Sequence, residues 1–178
     1  MSETIIRSAT PDEYDAVAKL WMESWCSTGL DVPGEKLLNY LTERVPREVA
    51  GGWSLYVADD GGALAAMLAI NVPRLYLDQL MIAPAYQGRS LGRRLLGFTR
   101  ELLPDEVWLR CAEGNEKAWR WYEREGFVLE KAEADPAHGR MMRYYRWKRG
   151  IFRSNDPTAP RSPETTSPSQ PDADDGMT

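Results

Sequence analysis

The stretch YLDQLMIAPAYQGRSLGRRLL, Tyr76 to Leu96, constrains the fold of this chain more than any other. RLYLDQLMI (Arg74 to Ile82) becomes apolar on both faces near its end, as a strand in the middle of a sheet does. Ala83-Pro84 turns it into a small, basic loop. A helix then runs from about Ser90 to Leu103, with Leu91, Leu95, Phe98 and Leu102 forming one apolar stripe, and Pro104 stops it. A helix start carries unpaired N–H groups and about half a positive charge, and both attract phosphate. Gly88 and Gly92 let backbone approach a ligand, and Arg89, Arg93 and Arg94 add positive charge. Two phosphate motifs are absent: no Gly-Lys-Ser/Thr closes the loop, and the three glycines of a dinucleotide fingerprint are missing. Ser90 stands where such loops usually carry glycine. It is a good helix cap and its hydroxyl can donate to a phosphate, but its Cβ restricts backbone approach.

The rest of the chain reads as one α/β domain. Ile5 and Ile6 start a short strand. Thr10-Pro11-Asp12-Glu13 opens a helix in which Tyr14, Val17, Ala18, Trp21 and Trp25 recur at helical spacing. CSTGLDVPG breaks it, and Glu35 to Val49 forms a second helix interrupted near Pro46. WSLYVA returns through ADDGGA as a hairpin with Ala63 to Ile70. VWLRC is a strand, Asn115 caps a helix ending at Gly126, and FVLEKAE and RMMRYYRW close the domain. The order β-α-α-β-β-β-α-β-α-β-β predicts a mixed, mostly antiparallel sheet of six to seven strands flanked by four helices, with a parallel section around the third helix.

Composition narrows the function classes. The formal net charge is −5, of which residues 151–178 carry −3 (two Arg against five Asp/Glu), leaving −2 on the body. A mildly acidic body with no basic block argues against nucleic acid as an obligate partner. Cys26 and Cys111 lie far apart without metal-ligand spacing and read as reduced thiols of a cytoplasmic protein; no metal is expected. No apolar leader or run of 18 apolar residues occurs, so neither a signal peptide nor a membrane span is expected. Residues 151–178 hold five prolines and eight Ser/Thr. The expected division is a domain over 1–149 and a disordered acidic tail over 150–178.

The Tyr76–Leu96 run resembles the acetyl-CoA-binding segment of the GNAT superfamily of N-acetyltransferases. The Gln/Arg-x-x-Gly-x-Gly/Ala pattern falls on Gln87 to Gly92, matching at Gln87 and Gly92 and departing at Ser90. Downstream, NEKAWRWYEREGF is similar to the family's Asn-x-x-Ala-x-x-x-Tyr-x-x-x-Gly-Phe, complete at Asn115, Ala118, Tyr122, Gly126 and Phe127. The resemblance spans Thr4 to Trp147 and is strongest from Tyr76 to Phe127. It implies transfer of acetyl from acetyl-CoA to a primary amine, a small molecule rather than a protein, by direct attack in a ternary complex. The alternative is a non-catalytic acyl-CoA-binding sensor or scaffold, for which the departure at Ser90 is the only support.

What the resemblance implies for single residues is specific. Amides from Gln87 through Gly88, Arg89, Ser90, Leu91 and Gly92 to Arg93 would hold the pyrophosphate of CoA. The backbone of Leu80, Met81 and Ile82 would pair with the pantetheine arm, and one N–H there would face the acyl oxygen. Asn115 is either a plain N-cap or also a cofactor contact. Tyr122, two turns along the same helix face, would protonate the leaving thiolate, for which a phenol with a pKa of about 10 is suited; otherwise it only packs the helix. Asp78 is expected on the same strand face as Leu80 and Ile82, beside the thioester, as base, as attractant for a cationic amine, or merely as a solvated carboxylate. Glu113 is a weaker alternative, and His138 is expected at the surface. Trp21, Trp25, Asp31 and Tyr144 are candidate walls of the acceptor pocket. The acidic body and Asp78 suit a small, cationic amine, and aromatic residues near Tyr144 to Trp147 leave room for a homodimer.

Overall fold

The computed structural model describes residues 4–29, 34–136 and 139–150. The expectations for Asp31, His138 and the tail beyond residue 150 lie outside the described residues. Seven strands form one sheet in the order β1-β2-β3-β4-β5-β7-β6, with β1 at Ile5–Ser8, β2 at Ser54–Asp60, β3 at Ala63–Asn71, β4 at Tyr76–Ile82, β5 at Glu106–Ala112, β6 at Val128–Ala134 and β7 at Met141–Lys148. Every neighbouring pair is antiparallel except β4 and β5. The helices are α1 (Tyr14–Cys26), α2 (Gly34–Ala50), α3 (Leu91–Leu102) and α4 (Glu116–Arg124).

The helices divide between the two faces and make two cores. Leu91, Leu95 and Leu96 of α3 pack with Leu68, Ile70, Leu77, Leu109, Phe127 and Tyr145 on one face. Val17 and Trp21 of α1 and Leu41 and Val45 of α2 pack with Val57, Met67 and Ala69 on the other. β3 is buried from Ala65 to Ile70, each residue 0% exposed, because helices cover it on both sides. A fully buried leucine or valine contributes about 1.5–3 kcal/mol, so these two clusters hold the layers together.

Local signals explain the element ends. Glu13 accepts from the Thr10 N–H at 2.8 Å, and a single turn of 3-10 helix over Pro11–Glu13 leads into α1. The β2–β3 turn uses Gly61 and Gly62 at φ 65° and 97°, with Gly62 N–H donating to Asp59 at 2.7 Å. One expectation is corrected: α2 is continuous across Pro46. The ring removes one backbone donor there, but the α2 side chains Leu37, Leu41 and Val45 are buried against α1 and the sheet, and tertiary packing overrides the local preference.

Candidate active site

The site begins where β4 and β5 part. Their only paired residues are Tyr76 and Trp108, with Trp108 N–H donating to Leu75 O at 3.0 Å. Beyond that rung the parallel ladder stops, leaving the β5-side edge of β4 without a partner strand. A cavity of about 490 Å³ opens there. It is lined by Leu80, Met81 and Ile82 of β4, by Gln87, Gly88, Ser90, Leu91, Gly92 and Arg93 of the loop and α3, and by Asn115 and Tyr122 of α4. Eleven residues predicted from two separate motifs thus converge on one cavity, of a size typical for small-ligand sites.

The loop presents its amides. Gly88 and Ser90 both take left-handed backbone, φ 76° and 61°. The N–H groups of Gly88, Arg89 and Ser90 donate to no protein acceptor among the described residues. The first-turn N–H groups of α3 follow directly, and the first intrahelical bond onto Ser90 comes from Arg94 at 3.3 Å. This run of free donors fits a phosphate. The run of free amides starts at Gly88, one residue later than expected, because Gln87 N–H is committed to Pro84 O at 3.4 Å. The Gln87 side chain ties the end of β4 to α1, donating to Ile82 O at 3.2 Å and Ser27 Oγ at 3.1 Å.

Ser90 and Gly92 have roles the linear reading did not assign. Ser90 occupies the N-cap position of α3 with φ 61° and ψ 6°, and its side chain makes no cap hydrogen bond. It is therefore not a capping serine; it holds a left-handed conformation that glycine adopts without strain. Gly92 answers to helix packing: a Cβ would lie 3.2 Å from Trp121 and 3.3 Å from Ile82, both on the cavity wall. The loop arginines also divide. Arg93 lines the cavity and pairs with Glu125 at 2.8 Å. Arg89 lies outside the lining, its guanidinium 5.3 Å from the Tyr86 ring. Arg94 donates to Thr4 O at 2.6 Å, away from the loop.

On α4, Asn115 Oδ1 accepts from Ala118 N–H at 3.3 Å, so the N-cap reading holds while the residue also borders the cavity. Tyr122 is wedged between Trp121 and Phe127, with ring centroids 4.9 and 5.6 Å away. Burial, then the neighbouring Cys111 and Tyr76, push its phenol well above the ordinary value. Such a phenol keeps its proton through the neutral range. The Cys111 thiol is itself pushed up to about 11 by burial and is no nucleophile at neutral pH.

Asp78 requires a correction. Across β3 and β4, Ala69 pairs with Gln79 but Ile70 pairs with Leu77, so Asp78 is the extra residue of a β-bulge. The bulge breaks the alternation. Leu77, Leu80 and Ile82 pack toward α3 and α4, while Asp78 turns to the α1/α2 face and accepts from Trp53 Nε1 at 2.8 Å and Gln79 Nε2 at 3.0 Å. It does not share a face with Leu80 and Ile82, nor does it line the cavity. Glu113 is tied to Arg143 at 3.2 Å and is also absent from the lining.

The proposed acceptor walls separate as well. Trp21 is 0% exposed core, 5.8 Å from the Trp53 ring, and cannot border a pocket. Trp25 is half-buried against the same core and lies off the cavity. Tyr144 is half-buried on β7 with the Lys131 ammonium 4.5 Å from its ring. Lining residues the sequence reading missed are Ser24, Ser27 and Thr28 at the end of α1 and Lys117, Trp121 and Arg124 on α4. The last three recur at i, i+4 and i+7, a helical stripe beside Asn115–Tyr122 that was open to inspection.

Against known proteins, residues 12–127 match the model of the acetyltransferase (GNAT) family. The chain is similar to the probable N-acetyltransferase Rv2775 of Mycobacterium tuberculosis, 32% identical over 142 residues, covering 70% of this chain and 80% of that protein. The fold is similar to PaiA N-acetyltransferase of Thermoplasma acidophilum, solved with coenzyme A (TM-score 0.60, 16% identity, 82% of this chain and 99% of that one). It is equally similar to YncA of Salmonella typhimurium, solved with its cofactor acetyl-CoA (TM-score 0.60, 16% identity, 88% and 99%). The chain belongs to the acetyltransferase (GNAT) family and is an acyl-CoA-dependent acetyltransferase. Among the described residues, no helix is long and apolar enough to cross a membrane.

Proposed function

We propose that the protein transfers the acetyl group of acetyl-CoA to the primary amine of a small molecule, by direct attack with both substrates bound. The observation that carries this reading is the cavity at the β4–β5 split, where free loop amides, an unpaired strand edge and a proton-bearing phenol converge. Solved relatives holding CoA or acetyl-CoA support the choice of donor.

Acetyl-CoA supplies an activated thioester. The amides from Gly88 into the first turn of α3 hold its pyrophosphate, and the open edge of β4 at Leu80 to Ile82 receives the pantetheine arm as an added strand. An N–H of that edge stabilises the oxygen on which negative charge develops. Tyr122 gives its proton to the departing sulfur, and its raised pKa keeps that proton available. Asp78, on the α1/α2 side of the same split, attracts the ammonium form of the acceptor and takes up its proton directly or through water. The free Cys26 and Cys111 thiols fit a reducing, cytoplasmic setting. The alternative of a non-catalytic sensor rested on Ser90, and the left-handed Ser90 removes that ground.

Isothermal titration with acetyl-CoA, followed by CoA release with a panel of amines, tests the reading. Binding and release are expected; absence of binding at high protein concentration refutes it.

A further inference from the structure

The α1/α2 face of the sheet is not covered evenly. α1 and α2 pack over β2, β3 and β4, whereas Trp108 and Arg110 of β5 and Tyr144 of β7 stand on the half beyond the split. There the cations sort into two groups. Lys131 pairs with Glu133 at 2.7 Å, Arg143 with Glu113 at 3.2 Å, Arg146 with Glu130 at 2.6 Å and Lys148 with Glu106 at 3.7 Å. Arg110 is the remaining cation of β5, β6 and β7, and among the described residues it has no carboxylate partner. Its neighbours there include the phenols of Tyr76 and Tyr144.

Its position has a counterpart. Tyr76 and Trp108 form the last rung of β4 and β5, their rings stacked at 4.0 Å. Asp78 and Arg110 each lie two residues past that rung, on opposite banks of the split. Asp78 likewise has no cation partner among the described residues, its oxygens held by Trp53 and Gln79. The mouth of the split on this face therefore carries one unneutralised carboxylate and one unneutralised guanidinium, flanked by an aromatic stack. Charges left without ion-pair partners while the other cations of β5, β6 and β7 are paired are suited to a ligand that supplies both counter-charges.

We propose that the acceptor is a zwitterion, a primary amine carrying a carboxylate as in an amino acid, with Arg110 binding the carboxylate and Asp78 receiving the ammonium. This rests on the reading of the split as the place of acetyl transfer, and it narrows the cationic amine expected from composition: Arg110 repels a polycation. The planar guanidinium fork matches a carboxylate with two parallel hydrogen bonds, and the Tyr76–Trp108 stack offers an apolar wall to the remainder of the acceptor.

The test is acceptor preference. CoA release is measured with matched triplets: leucine, leucinamide and isoamylamine, then phenylalanine, phenylalaninamide and phenethylamine, with spermidine and a lysine-containing peptide alongside. The acids are expected to exceed their amides and amines in kcat/KM by about 10- to 100-fold. Arg110→Gln should erase that gap by raising KM for the acids, with acetyl-CoA affinity unchanged; Arg110→Lys should restore part of it. Preference for the amides, amines, spermidine or peptide overturns the inference while leaving acetyl transfer standing, as does an equal loss on all acceptors in Arg110→Gln. Failure to bind acetyl-CoA, or binding without CoA release to any amine, overturns the transferase reading itself.

Discussion

Replacing Ser90 with glycine should stabilise the domain and keep or improve acetyl-CoA affinity. Ser90 sits at φ 61°, where an L-residue pays about 1–2 kcal/mol for the contact of its Cβ with the following carbonyl. Glycine removes that cost but adds about 0.5–1 kcal/mol of backbone freedom in the unfolded chain. The exposed Ser90 side chain makes no cap hydrogen bond, so no internal bond is lost with it. The difference is a gain of about 0.5–1 kcal/mol, which raises Tm by about 1–4 °C for a domain of this size. Thermal unfolding followed by circular dichroism measures the shift, and calorimetric titration measures the affinity. Ser90→Ala serves as the control, because it removes the hydroxyl and keeps the Cβ. A lower Tm in Ser90→Gly refutes the strain argument. An affinity loss shared by the Gly and Ala variants shows instead that the hydroxyl itself binds the phosphate.

Three further outcomes are expected. Tyr122→Phe should lower kcat about 100-fold with acetyl-CoA affinity within about twofold of wild type; because burial raises the phenol pKa, any loss of rate from its ionisation should fall above the ordinary value of about 10, as a pH–rate profile would show. Gly92→Ala pushes a methyl toward Trp121 and Ile82, so acetyl-CoA binding should weaken about 10-fold by titration. Its Tm should move by only about 2 °C, since alanine's helix preference offsets the crowding. Glu13 is held down to about 2 from 4.5, first by the Arg7 guanidinium at 2.7 Å and then by the Thr10 amide. A depressed carboxylate stabilises above its unfolded pKa and loses that contribution as pH falls toward 2. Glu13→Gln should therefore be less stable than wild type at neutral pH, with the gap closing below pH 4.5 in acid-unfolding curves.

Much of the cavity was legible because its parts are local. A strand, a proline turn, a basic loop and an amphipathic helix follow one another within Tyr76–Leu96, and adjacency in sequence forces the loop amides to lie at the helix start. Asn115 and Tyr122 share a helix face by spacing alone. The position of Asp78 was not legible, since strand alternation assumes unbroken pairing and the bulge is a property of β4 against β3. Trp21 was misassigned for a related reason: helical periodicity marks the buried side of α1 without saying whether core or cavity lies beyond it.

By itself, then, the sequence determined the element order, the basic loop at the start of α3 and the residues of two motifs, all set by interactions spanning a few residues. Tertiary structure alone decided that Ser90 takes left-handed backbone, that Gly92 makes room for Trp121, and that Asp78 and Arg110 stand on opposite banks of the split with no ion-pair partner among the described residues. Whether a charge is already neutralised depends on every element packed around it, and those neighbours come together only when the sheet assembles.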